Sequence, residues 1–250
     1  MLGRSKGLQR EPNTHPVGGV HHSVLIGAPP IPSDVDWSIG WTDQRDASSC
    51  TGHAFKKLIE GTARINGYAG PGKASAEGIY ALRAEDYPGL APLPDEGASP
   101  STIATGLSRF GTVEEAFAPK TVAYRLSVDE LMNAQAFRVT QIALIDLYGD
   151  SLASAIQSAL AAKLIPVFAM DVDDAYEKLG PGQVYDGPVG PSLGGHMQAF
   201  DSYSQNGAVF GVAGSWGPGW ASAGRAWMTR AAVARLATNV YIAKVVPVLT

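Results

Sequence analysis

Cys50, Gln44 and His196 have the residue types and spacing that nucleophilic chemistry needs. Cys50 is the only cysteine in the 250-residue chain. It lies in the stretch Asp43-Gln44-Arg45-Asp46-Ala47-Ser48-Ser49-Cys50-Thr51-Gly52-His53-Ala54. Beyond it, Ala54, Leu58 and Thr62 fall on one stripe and Phe55, Ile59 and Ala63 on the next, which is helical spacing. Ser49 is suited to cap that helix, so Cys50 is predicted at its N-terminus. A thiol there is favoured as thiolate by the positive end of the helix dipole and the nearby backbone N–H groups. It also needs a base and donors for an oxyanion. The Gln44 side-chain amide is one candidate donor and the Cys50 N–H a second. His196 follows Gly194-Gly195 and precedes the apolar run Met197 to Phe200, which places an imidazole at the mouth of a strand. The loop Gly214-Ser215-Trp216-Gly217-Pro218-Gly219-Trp220 is suited to shield such a pair from water.

Other readings of the same residues exist. A lone cysteine also serves as a small buried hydrophobe, and a histidine as a satisfied structural residue. His53, three positions after Cys50, is a neighbour along the helix and a second candidate base or a perturber of the thiol. A zinc site from Cys50, His53 and His196 lacks a fourth ligand. His21 and His22 have no nearby cysteine or carboxylate and are expected to be solvent-exposed.

The elements that position these residues follow from the patterning. Residues 1–32 are rich in glycine and proline and read as an arm or leader. Pro29 to Pro32 is an extended entry. After the Cys50 helix, ended by Gly67 and Gly70, a second helix is predicted over Ala76 to Asp86. A third begins at Ser99-Pro100 and places Ile103, Leu107 and Phe110 on one face. Ser127 and Glu130 form a capping box for a fourth, and a fifth starts at Asp150. Strands are predicted over Phe137 to Ile145, Ile165 to Val172, Met197 to Tyr203, Ala208 to Val212, Arg225 to Met228 and Val240 to Val248. Helices first and strands after indicate an α+β fold. The expected organisation is an arm over 1–32, a mainly helical lobe over 33–125 and a mainly strand lobe over 126–250.

Composition excludes several function classes. The formal net charge is −4, with no basic run, so no nucleic-acid face is visible. The longest apolar run, near Leu164 to Met170, is far short of the roughly 20 residues of a membrane helix. Arg4, Lys6 and Arg10 are followed by no apolar stretch, so no signal peptide is read. The expected location is cytoplasmic, with virion association or export by another route as alternatives. One cysteine permits no intrachain disulfide.

The three stretches resemble the papain-like cysteine peptidases. That family places a glutamine at the Gln44-to-Cys50 spacing, and its bacterial and viral branch commonly reads serine-cysteine-threonine, as Ser49-Cys50-Thr51 does. Gly195-His196 is similar to its histidine strand, and Ser215-Trp216-Gly217 with Trp220 to its asparagine-serine-tryptophan-glycine loop. The resemblance spans residues 30–250. It implies a two-lobed fold with a cleft, and peptide-bond hydrolysis with Cys50 as nucleophile, His196 as base and Gln44 in the oxyanion hole. It further implies substrate contacts from Gly97, Ala98, Met170, Gly195 and Trp216, and no metal or organic cofactor. The partner implied is a peptide or protein substrate. A non-catalytic module in a larger assembly, and an amidase or acyl transferase, are the alternatives. Two departures stand out. Gly214 occupies the place of the asparagine that orients the histidine, and Arg45-Asp46-Ala47 replaces glycine near the glutamine. The first predicts a slow enzyme that Gly214→Asn accelerates.

Overall fold

The structure is a computed structural model that describes residues 20–68, 73–118, 121–122, 124–135 and 139–245. The sequence expectations for residues 1–19, Gly70, Phe137 and 246–248 lie outside these. Helix α1 is His22–Ile26, and the short strand β1 is Val35–Asp36. Helix α2, Cys50–Ile65, starts at the predicted residue. Its apolar side chains Phe55, Leu58 and Ile59 are buried in the core, each such burial contributing about 1.5–3 kcal/mol. Gly67, at φ 72°, lies just past its end.

Helix α3, Ala76–Ala81, continues as a 3-10 turn over Leu82–Asp86. Helix α4, Pro100–Phe110, is capped by the Ser99 side chain with proline in its first turn. Helix α5, Val128–Ala134, has the predicted capping box in both directions. Then come β2 (Val139–Leu144), α6 (Gly149–Ala161), β3 (Val167–Val172), α7 (Asp174–Glu177) and β4 (Val184–Tyr185). Strands β5 (Gly194–Ser204), β6 (Val209–Ala213) and β7 (Arg225–Thr229), helix α8 (Arg230–Leu236) and strand β8 (Thr238–Val245) complete the order.

The eight strands form one sheet in the order β2-β8-β3-β5-β6-β7-β4, with β1 added to β5. Its pairings are antiparallel apart from β4 with β7. The α+β class and the helix-then-strand order are as expected. Helix α2 packs against the sheet on one side and α3 on another. Gly52 permits the second contact, because a Cβ there would overlap the Ala76 carbonyl and lie 2.9 Å from the Tyr80 Cβ.

Four expectations are corrected. Ser49 sits at the N-cap of α2, but its side chain makes no capping bond. The segment 20–32 is not wholly an arm: α1 tucks His22 and Ile26 into the interior, so His22 is buried rather than solvent-exposed. Strand β5 begins at Gly194, not Met197, so His196 lies within the sheet. Elements β1, α7, β4 and α8 were not anticipated; α8 is held by the Thr229 cap, whose hydroxyl accepts from the Ala232 N–H at 3.1 Å.

Candidate active site

Two segments far apart in sequence are laced together beside α2. The Thr42 N–H donates to the Gly214 carbonyl at 3.1 Å, the Gln44 N–H to the Ser215 carbonyl at 2.9 Å, and the Gly217 N–H to the Thr42 carbonyl at 3.0 Å. Asp43 and Trp216 form a β-bridge. The Ser215 hydroxyl donates to Gln44 Oε1 at 2.7 Å, and Gln44 Nε2 donates to the Ala47 carbonyl at 2.8 Å. These bonds fix the plane of the Gln44 amide, which is itself buried. An amide nitrogen carries two hydrogens, so a single Nε2 serves both the turn and a second acceptor.

The same loop covers His196. The Trp216 ring stacks on the imidazole with centroids 4.3 Å apart and planes at 22°. Trp220 meets Trp216 edge-on at 5.0 Å, and its Nε1 donates to the Tyr176 carbonyl at 3.3 Å. Behind this cluster Gln198 Nε2 donates to the Tyr176 hydroxyl at 2.8 Å. Gln198 follows His196 by two positions on β5, so both side chains share a face. Met170 is the register partner of His196, and Gly195 that of Asp171. Met170 is buried beside the candidate base, where directly opposed side chains meet.

Cys50 opens α2 and is fully buried. It is part of the hydrophobic core rather than exposed at a cleft mouth. One turn along α2, His53 is also buried. Burial, then Lys57 and Lys56, then His196, hold its imidazole pKa well below the usual value. The structure thus brings Gln44, Trp216 and His196 into one assembly at the end of α2 that Cys50 begins.

Gly97 and Ala98 sit on a loop anchored to the segment before Cys50. The Asp95 carboxylate accepts from the Ser48 N–H at 3.0 Å and from the Tyr80 hydroxyl at 2.9 Å. The Gly97 N–H donates to the Tyr80 hydroxyl at 3.0 Å. That N–H points inward, and both residues are buried, so a substrate strand would have to use other groups of the loop. Tyr80, Asp95, Tyr176 and Gln198 were missed in the sequence. Their partners are distant in the chain, although Gln198 at the alternate position after His196 was a readable signal.

Gly214 leaves little room for any side chain. A Cβ there would overlap the Trp220 ring, lying 2.7 Å from Cε3 and 3.2 Å from the Gly224 carbonyl. The indole fills the space that an asparagine side chain needs. Gly214→Asn therefore cannot supply an orienting group without displacing a buried tryptophan. Among the described residues no cluster of three or more His, Cys, Asp or Glu is arranged to hold a metal ion. Nor is any helix long and apolar enough to cross a membrane.

The architecture is the papain-like fold. The chain is similar to xylellain, a cysteine protease from Xylella fastidiosa, at TM-score 0.75 and 19% identity over 98% of this chain and 99% of that one. It is similar to procathepsin B S9 from Trypanosoma congolense at TM-score 0.75 and 14% identity, covering 97% of this chain and 87% of that one. The bromelain protease of Ananas comosus, solved with the E64 inhibitor, matches at TM-score 0.65 and 20% identity over 86% of this chain and 99% of that one. The sequence matches no protein-family model and no curated protein.

Proposed function

We propose that the chain is a cysteine peptidase, with Cys50 as nucleophile, His196 as base and acid, and Gln44 with the Cys50 N–H as oxyanion donors. The observation that carries this reading is the lacing of Gln44 to Ser215 and of Trp216 onto His196, beside the start of α2. It ties a candidate oxyanion donor and a candidate base to adjacent residues of one loop. In the reaction, the Cys50 sulfur bonds to the peptide carbonyl carbon and the carbonyl electrons move onto oxygen. The C–N bond then breaks as His196 delivers a proton to the leaving amine. Water adds to the thioester, His196 takes its proton, and the Cys50–acyl bond breaks. The steps use no metal or organic cofactor. Ser49-Cys50-Thr51 supports a place in the bacterial and viral branch, and Met170 beside His196 supports an apolar preference next to the scissile bond.

A second reading is a catalytically weak or inactive module. It is favoured by the burial of Cys50 and by the tryptophan packed against Gly214. Iodoacetamide alkylation across pH, together with cleavage of a peptide library by wild type and Cys50→Ala, separates the two. The peptidase reading expects a thiol midpoint below about 8.5, the free value, and no cleavage by Cys50→Ala. A thiol that stays unlabelled in folded protein, or equal cleavage by the variant, favours the inactive module.

A further inference from the structure

A cavity of about 550 Å³ lies beside the Gln44–Ala47 turn, with walls from the first half of α2, the start of α3 and the segment after α4. Gln44 and Ser49 line it, so it adjoins the loop that leads into Cys50. It shares no residue with Gly97, Ala98, Met170, Gly195 or Trp216. Its charged lining is Asp43, Asp46, Glu77 and Glu115 against Arg45 and Lys56. Lys56 is already engaged: its Nζ donates to the Ala74 carbonyl at 2.7 Å and pairs with Glu115 at 3.3 Å. Asp43, Asp46 and Glu77 make no ion pair among the described residues. The lining is therefore acidic on balance and disfavours an anion.

His53 is the second, independent feature. It lines the cavity at 5% exposure, and neither of its ring nitrogens has a hydrogen-bond partner. A buried polar atom left unmet is costly, so the interior gains when something in the cavity meets it. Burial and the neighbouring lysines keep the ring neutral. A neutral imidazole presents one bare lone pair, which suits an N–H donor on a cation.

We propose that this cavity is a subsite for a lysine or arginine side chain of the substrate, with His53 accepting a hydrogen bond from it and Asp46 and Glu77 attracting its charge. The inference rests on the peptidase reading and adds a basic residue, near the scissile bond, to the substrate class. A lysine or arginine side chain is far smaller than the cavity, and the acidic rim also favours its approach.

The test is cleavage by the full chain of peptides that carry lysine, arginine, norleucine or glutamate at each position around a fixed scissile bond. At one position lysine and arginine should exceed norleucine in kcat/KM by about tenfold or more. Asp46→Asn with Glu77→Gln should remove most of that ratio. His53→Gln, which retains an acceptor, should keep part of it, and His53→Phe should not. Equal cleavage of lysine and norleucine peptides at every position overturns the subsite and leaves the peptidase reading standing. So does a preference that survives Asp46→Asn with Glu77→Gln. If wild type cleaves nothing and Cys50 resists alkylation, the peptidase reading falls, and binding of the same peptides to Cys50→Ala decides the subsite alone. Lysine peptides about tenfold tighter than norleucine peptides would sustain it; equal binding would overturn it.

Discussion

Gly214 shows how a single atom can decide between two accounts of one site. A family resemblance reads the glycine as a lost asparagine. The packing reads it as the space that Trp220 occupies. Overfilling a buried position typically costs about 1–3 kcal/mol. Gly214→Asn is therefore expected to lower the melting temperature, by about 2–4 °C per kcal/mol in a chain of this size, and not to raise turnover. Calorimetry and peptide hydrolysis on the same preparation check both halves. An accelerated, equally stable variant would show that Trp220 yields at no cost. The flat face of Trp216 lies against His196 and limits tilting of the ring.

Helix α2 carries its own electrostatic strain. Lys57 is fully buried and donates to the Thr42 hydroxyl at 2.5 Å. Burial, and secondarily Lys56, lower its pKa to about 7, opposed by Glu60 and Asp201. In the unfolded chain the ammonium titrates near 10.4. Between those values the unfolded state binds more protons than the folded one, so stability rises as pH climbs from about 7 toward 10. Below about 7 both states are protonated and this contribution levels off. Lys57→Met is expected to flatten that slope and to raise stability at pH 7 by an amount on the order of a few kcal/mol. Urea midpoints from pH 6 to 10 for both proteins check it. A wild-type slope unchanged in Lys57→Met would assign the dependence to another group. At this same scale the sequence was most legible where a local rule operates. Ser99-Pro100 and the Ser127/Glu130 box mark their helices with residues that make the bonds themselves. Helix α1 escaped notice because its N-cap acceptor is the His21 ring, not one of the usual capping residues, and a single turn is too short to show a period. Gly194 and Gly195 read as a turn because nothing local reveals that β3 pairs with them.

Across the whole molecule, Arg225 ties the beginning of the chain to its end. It pairs with Asp36 of β1 at 2.7 Å and with buried Asp201 of β5 at 2.9 Å. Burial raises the Asp201 pKa, and Arg225 opposes that shift. Arg225→Met leaves a buried carboxylate without its cation, and a loss of roughly 3 kcal/mol is expected. Adding Asp201→Asn should recover part of it. Denaturant unfolding of the single and double variants checks this, and a single variant as stable as wild type would make the pair ornamental. The candidate site was legible in outline because Gln44, Cys50 and His196 each stand in a recognisable local string. What holds them together was not. The Ser215–Gln44 bond, the Tyr176–Gln198 pair and the Asp95 anchor join residues that lie apart in the sequence and meet only in the folded chain.

The clasp between β1 and β5 has a consequence for the order in which the chain is made. The Asn206 N–H donates to the Ser33 carbonyl at 2.9 Å, the Gln205 N–H to Asp34 at 2.9 Å, and the Tyr203 hydroxyl to the Pro32 carbonyl at 3.0 Å. Residues 32–34 thus meet these partners only after residues 203–206 have been made, and contacts of such long range close slowly. The Cys50 segment is made well before the His196 strand. On the peptidase reading proposed above, a nascent chain that has Cys50 but not yet His196 holds the proposed nucleophile without its proposed base, and is not expected to cut itself or its neighbours until both are made.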